Sequence, residues 1–180
     1  MSKRVLCILG PGFEEIETLA PVDLLRRAGV EVVLAALGDS KLVTGRCGVT
    51  VQADAALAEV DPATFDLLLI PGGPGVKNLR ADGRAAQLAK LFVQSGKPVG
   101  AICGAPTVLA DAGLLEGKRF TAHSSVAGEL PGALLEERVV EDGLIITSRG
   151  PGTALDFGLA LVRRLCGEPA AREVAKAIMI

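Results

Sequence analysis

The sequence predicts an α/β fold, a mostly parallel β-sheet covered by helices on both faces and built as one domain over residues 1–180. Three observations predict it. Short β-branched apolar runs alternate with amphipathic stretches along the whole chain. The runs are continuously apolar, as in strands buried on both faces, and do not alternate apolar with polar. A chain of 180 residues with 49% hydrophobic content fits one domain and needs no metal or disulfide staple to stay folded.

The elements follow in order. Arg4 to Leu9 reads as a buried strand, closed by the turn Gly10-Pro11-Gly12. Glu14 to Ala28 reads as a helix with Ile16, Leu19, Ala20 and Leu24 on one stripe, punctuated by Pro21 and ended by Gly29. Val30 to Ala35 is the next strand, and Leu42 to Val51 reads as a hairpin. Phe65 to Ile70 is a third buried strand, closed by Pro71-Gly72-Gly73-Pro74. A helix is expected from Asp82 to Ser95, with Ala86, Leu88, Leu91 and Phe92 inward. Pro98 to Ile102 is a fourth core strand, and Ala105 to Ala112 a helix capped by Gly113. Arg119 to Ala122 is read as a short strand before His123. Arg138–Val140 and Leu144–Thr147 flank an Asp142-Gly143 hairpin turn. Helices over 154–165 and 168–179 complete the chain. Three small-residue loops, at Gly10–Gly12, Pro71–Gly73 and Cys103–Ala105, follow predicted strands. A parallel sheet gathers such loops on one edge, where ligands bind.

Composition narrows the function. A net charge of −2 and the absence of Trp and Tyr argue against nucleic-acid binding and base or sugar stacking. One histidine excludes multi-histidine metal sites. No apolar run reaches the roughly 18 residues of a membrane span. The N-terminus lacks a small-residue cleavage site, so a cytoplasmic protein is expected. Four widely spaced cysteines without a C-x-x-C pair are expected to be free thiols. Cys7 and Cys166 read as small buried hydrophobes, and Cys47 lies in the hairpin.

Cys103 stands apart. It joins a buried strand directly to a helix and is followed by Gly104 and Ala105. A nucleophile elbow needs small residues there, and a helix N-terminus favours thiolate. The alternative is an ordinary buried cysteine. Glu14, Glu15 and Glu17 open the first helix. Acidic residues in a first turn are ordinary dipole partners, but Glu17 could point inward over the strand ends. There its pKa would rise, leaving it protonated as a donor. His123, one element after the candidate nucleophile, could act as a base, although a lone histidine is more often simply structural. Gly72-Gly73 offers close backbone approach and an N–H for a developing oxyanion. No G-x-G-x-x-G or Walker motif exists, so nucleotide binding is disfavoured.

Several segments together resemble a known family. They are Gly12-Phe-Glu-Glu-Ile-Glu17, Pro21-Val-Asp-Leu-Leu-Arg-Arg-Ala-Gly29, Pro71-Gly-Gly73, Ala101-Ile-Cys-Gly-Ala-Pro106 and Asp142-Gly-Leu-Ile-Ile-Thr-Ser-Arg-Gly-Pro-Gly-Thr153. The sequence is similar to the ThiJ/PfpI superfamily, most closely the branch of the Parkinson's-disease-linked protein deglycase and its bacterial chaperone-like homologues. The resemblance implies a flavodoxin-like three-layer sandwich with a small β-hairpin, and a homodimer partly formed through the first helix. It implies Cys103 as the reactive elbow cysteine, Glu17 as the acid hydrogen-bonded to it and His123 as the nearby histidine. Gly73 and Gly104 are implied as backbone donors of an oxyanion pocket. The hairpin Gly45-Arg46-Cys47-Gly48 departs from the relatives' order, so no anion-binding arginine is carried over. The implied activity is a cofactor-independent glyoxalase or deglycase acting on methylglyoxal, other reactive dicarbonyls or glycated protein, with no metal. The competing reading is a redox-responsive stress protein or chaperone that senses oxidants through the same cysteine. An amidase or protease of the wider superfamily would place histidine directly after the cysteine, where this chain has Gly104.

Overall fold

The computed structural model describes residues 2–180. The elements are β1 (Arg4–Leu9), α1 (Glu15–Arg27), β2 (Glu31–Ala36), β3 (Leu42–Thr44), β4 (Thr50–Gln52), β5 (Ala55–Ala56), β6 (Leu67–Ile70), α2 (Val76–Asp82), α3 (Arg84–Gln94), β7 (Val99–Ile102), α4 (Pro106–Asp111), β8 (Val139–Asp142), β9 (Ile145–Ser148), α5 (Ala154–Cys166) and α6 (Glu168–Ala177). Seven strands form one sheet in the order β5-β2-β1-β6-β7-β9-β8. Every neighbouring pair is parallel except β8 with β9. Strands β3 and β4 form a separate antiparallel hairpin.

The period-2 alternation of β1 divides the core. Val5, Cys7 and Leu9 join Leu24 and Leu25 of α1, Phe157 and Leu161 of α5 and Val174 of α6 in one cluster. Leu6 and Ile8 join Leu79 of α2, Phe92 of α3 and Val108 of α4 in the other. The result is the expected flavodoxin-like three-layer sandwich. Burial on both faces explains the continuously apolar runs, since β1 from Val5 to Leu9, all of β6 and all of β7 are buried. Among the described residues, no helix is long and apolar enough to cross a membrane.

The chain runs from β1 outward to β2, then returns to β6 on the other side of β1. The loops after β1 and β6 therefore meet at a switch in strand order, a natural ligand crevice. Gly75 N–H donates to Gly12 O (2.9 Å), and Glu14 N–H to Gly72 O (3.0 Å), locking the two loops together. With β7 beside β6, all three small-residue loops lie on the carboxyl edge of the sheet.

Four details differ from the sequence reading. The helix expected from Asp82 starts earlier and is two helices, because Gly83 at φ 81° breaks α2 from α3. Residues 119–122 pair with no strand. Phe120, Thr121 and Ala122 are buried, but Thr121 N–H donates to the Thr147 hydroxyl (2.9 Å) in place of a ladder partner. On α3 the buried residues are Ala85, Ala89 and Phe92, Ala86 and Leu88 pack part-buried on the same core as expected, and Leu91 is exposed. On α1 the predicted stripe is rotated. Ile16 and Leu19 are 54% and 38% exposed, and the buried face includes Glu17, Thr18, Pro21, Val22, Leu24 and Leu25. Hydrophobicity misleads here because polar side chains hold buried positions over the strand ends. The Thr18 hydroxyl satisfies itself on Glu14 O (2.8 Å).

Candidate active site

Strand β7 ends at Ile102, and Cys103 turns the chain into α4 at φ 66°. A left-handed backbone is costly for a residue with a Cβ, roughly 1–2 kcal/mol, so it must be imposed by its surroundings. Two straps impose it. Cys103 N–H donates to Ser148 O at the end of β9, and Cys103 O accepts His123 N–H, both at 2.8 Å. The elbow predicted from the small residues after Cys103 is therefore present. The half-buried sulfur faces the backbone N–H groups of Gly73 and Gly104 and the carboxyl of Glu17.

Glu17 is fully buried. The cap of α1 sets its place, since the Glu14 carboxylate accepts Glu17 N–H at 2.7 Å. Its Oε2 accepts Gly72 N–H at 3.0 Å, and its buried Oε1 has no hydrogen-bond partner. This approach needs glycine at 72, where a Cβ would lie 2.5 Å from Glu17 Oε2 and 2.6 Å from Cys103 Cβ. Gly73, at φ 92°, would place a Cβ 2.7 Å from Glu14 N and Gly12 O. Gly104 is different. A Cβ there would meet only Val76, at 3.8 Å, so that position offers an N–H and is not sterically forced to be glycine.

Burial pushes the Glu17 carboxyl up to about 7, against the pull of its hydrogen bonds to Cys103 and Gly72. The Cys103 thiol is pushed up to about 12, first by burial, then by the Glu17 charge and the hydrogen bond to it; the Gly73 and Gly104 N–H groups pull it down. The raised Glu17 carboxyl follows the sequence expectation, whereas the raised Cys103 thiol runs against the expectation that the helix end and its N–H groups favour thiolate. The pair loses one proton near 7 and the next near 12. The two groups are coupled, because each resists a second negative charge beside it.

His123 is half-buried. Its Nδ1 accepts Ser125 N–H at 3.1 Å and lies 2.8 Å from the Ser125 hydroxyl. Ser125 thus anchors the ring at Nδ1 through both its N–H and its hydroxyl, leaving Nε2 unanchored by it.

Cys103, Gly73, Gly104 and His123 line one cleft of ≈ 410 Å³. The structure brings these four predicted residues together, while Glu17 lies behind the sulfur and off the cleft surface. The sequence reading missed Ser125, Arg80 and Arg46, which line the same cleft. Arg46 reaches it because the Glu15 carboxylate accepts the N–H groups of Cys47 (2.7 Å) and Val49 (3.4 Å), seating the hairpin loop on α1. The signal was present in the acidic run of the first helix turn, but only the hairpin's position reveals it. Among the described residues no group of three or more His, Cys, Asp or Glu side chains could hold a metal ion.

Known proteins share this fold. Protein dj-1beta of Drosophila melanogaster is 39% identical over 184 residues, covering 100% of this chain and 98% of the relative. The deglycase PYRAB04690 of Pyrococcus abyssi is 36% identical over 152 residues, covering 83% of this chain and 91% of the relative. The solved structure of oxidized Toxoplasma gondii DJ-1 superposes with a TM-score of 0.93 at 35% identity, covering 99% of this chain and 98% of the other. The DJ-1/PfpI family model matches residues 3–164, and the chain belongs to that family.

Proposed function

We propose that this protein is a cofactor-independent enzyme of the glyoxalase or deglycase type, acting on methylglyoxal and related dicarbonyls or their early protein adducts. The observation that carries this reading is Cys103 at φ 66°, with one carboxyl and two backbone N–H groups converging on its sulfur. A deglycase among the relatives supports it. Glu17 takes the thiol proton as sulfur attacks the aldehyde carbon, forming a hemithioacetal. The Gly73 and Gly104 N–H groups stabilise the alkoxide. His123 removes the proton from the former aldehyde carbon at Nε2 and returns one to the adjacent carbon, passing through an enediol. The product is a thioester of lactate. Water hydrolyses it, releasing lactate and restoring the thiol, so the net change is addition of one water to methylglyoxal.

The test is lactate formation from methylglyoxal by the wild type, Cys103→Ser and His123→Ala. Turnover is expected to disappear in Cys103→Ser and to fall sharply in His123→Ala. Retained turnover in Cys103→Ser would remove the thiol mechanism, and retained turnover in His123→Ala would remove the proton shuttle.

One observation favours a second reading, a redox-responsive stress protein or chaperone. The buried Glu17 carboxyl lies beside Cys103 and its Oε1 has no hydrogen-bond partner, leaving it free to bind an oxygen added to Cys103 on oxidation. The solved relative from Toxoplasma gondii is itself an oxidized form. That role needs Glu17 and Cys103 but not His123. We place the protein in the cytoplasm as a single-domain homodimer. Ile16 and Leu19 of α1 are exposed and available for pairing, whereas Pro21, Val22, Leu24 and Leu25 are already buried within the chain.

A further inference from the structure

One wall of the Cys103 cleft is the turn from His123 to Leu130, which includes Ser125, Val126 and Glu129. Its backbone hydrogen bonds over 124–129 close within the turn, as in Val126 N–H to His123 O (3.0 Å) and Glu129 N–H to Val126 O (3.0 Å). Its ends are fixed by His123 N–H on Cys103 O and by the buried Leu130. Between those ends no side chain is fully buried. Among the described residues, Val126 packs part-buried on the core, and one hydrogen bond joins residues 124–129 to anything outside the 123–130 turn, from Arg80 Nη1 to Glu129 Oε2 at 2.7 Å.

Arg80 is itself prepositioned. Its Nε and Nη2 grip both carboxylate oxygens of Asp111 at 2.7 and 3.0 Å. Such a planar side-on pair fixes the direction of the remaining N–H groups. Arg80 stands on α2, which follows the Gly73 loop, and Asp111 ends α4, which follows the Cys103 elbow. One guanidinium therefore ties together all three segments around the reactive sulfur.

We propose that Arg80 is a positioning residue that sets the width of the Cys103 cleft, and so its selectivity for small carbonyl compounds, by holding the His123–Leu130 wall through Glu129. The inference takes from the proposed function only that Cys103 is the reactive thiol. Holding the wall in keeps bulky electrophiles from the sulfur and keeps His123 close to a small substrate. Releasing it widens the cleft and loosens the histidine.

The experiment measures alkylation of Cys103 by iodoacetamide and by a bulky N-aryl maleimide, resolved by mass spectrometry so that the exposed Cys47 is counted separately. It compares the wild type, Arg80→Ala, Glu129→Ala, the double variant, and Glu129→Gln, whose change of one exposed group spares the fold. The maleimide-to-iodoacetamide ratio is expected to rise about fivefold in each single variant, the factor that losing an exposed ion pair allows. The double variant should rise no further, since both changes cut one tether. Methylglyoxal KM should rise, with a smaller fall in kcat. An unchanged ratio in Glu129→Ala and Glu129→Gln, or a double effect equal to the product of the singles, would overturn the assignment. Because alkylation requires no turnover, a changed ratio in a protein without dicarbonyl activity would retain the wall and reject only the enzyme.

Discussion

Replacing Glu17 by Gln separates the two services this carboxyl gives to Cys103. It keeps an acceptor for Gly72 N–H but removes the negative charge and the base. The pair loses its first proton near 7 and its second near 12. Two unit charges about 4 Å apart at an effective dielectric of about 20 interact by about 4 kcal/mol, roughly three pKa units, which sets the scale on which an adjacent carboxylate repels a thiolate. Without that charge the thiol should ionise near 9. In the wild type the same coupling leaves about one thiolate in a hundred between pH 7 and 10, with the proton on Glu17 in that fraction. At pH 8 the variant should hold about one in ten, so iodoacetamide should modify Cys103 about tenfold faster. Turnover should move the opposite way. Losing the base that takes the thiol proton should cost at least about a hundredfold in kcat for methylglyoxal.

The assay is the rate of Cys103 alkylation from pH 5 to 11 beside kcat/KM for methylglyoxal over the same range. The wild-type alkylation curve should step near 7, flatten and rise again toward 12; the variant should show a single rise near 9. Wild-type kcat/KM should climb through pH 7 as Glu17 ionises, and that inflection should vanish in the variant. Identical alkylation curves with one ordinary thiol pKa near 8.5 in both proteins would refute the coupling. Alkylation slower in the variant at pH 8 would show that Glu17 acts as a donor to a resident thiolate, not as a base.

Three further outcomes are expected. His123→Ala should lower dicarbonyl turnover by about a hundredfold while leaving iodoacetamide alkylation of Cys103 within about twofold, measured side by side. Gly72→Ala should cost about 1–3 kcal/mol in a denaturant titration and displace Glu17, because its Cβ would lie 2.5 Å from Oε2, whereas Gly104→Ala, with only Val76 at 3.8 Å, should leave stability and turnover nearly unchanged. Glu17 has a folded pKa raised to about 7, so its stability contribution is complete below the unfolded value of about 4.3 and is lost as pH rises through 7, by up to about 4 kcal/mol; Glu17→Gln should flatten that part of the stability–pH profile.

The sheet was legible because β1, β6 and β7 are apolar throughout and separated by glycine-rich punctuation, and the elbow because Cys103 stands between a strand and two small residues. Other features were not. Helix α2 lies in Val76–Asp82, whose polar composition gives no stripe, and Gly83 marks its end only once its backbone is known. Residues 119–122 have strand composition but find side-chain and strand-end partners instead of a ladder. The rotation of α1 was invisible because a periodicity rule assigns polar residues outward, and here Glu17 and Thr18 point in. Ser125 beside His123 and the Arg80–Asp111–Glu129 tether depend on folding that brings distant segments together. No spacing in the chain announces them.

The same failures of local rules locate the site. A cysteine at positive φ, a fully buried glutamate and a glycine pair with no room for a Cβ are each unfavourable or restrictive alone. Scattered, they would be unexplained strain. They meet within one hydrogen-bonded group, where Glu17 touches Gly72 and Cys103, Gly73 and Gly104 face the sulfur, and His123 straps the elbow. Sequences that agree with their fold elsewhere tend to break local rules where a function requires it. The strain at the elbow and the burial of Glu17 have one physical consequence in common, since both hold a carboxylate of pKa about 7 against a thiol. An ordinary exposed glutamate, ionising near 4.3, would be too weak a base to take that proton, and a solvated cysteine would lack the two N–H groups that wait for the charge on its substrate. Relaxing either feature should therefore stabilise the fold and impair the chemistry together, so Glu17→Gln should gain stability above pH 7 while losing turnover.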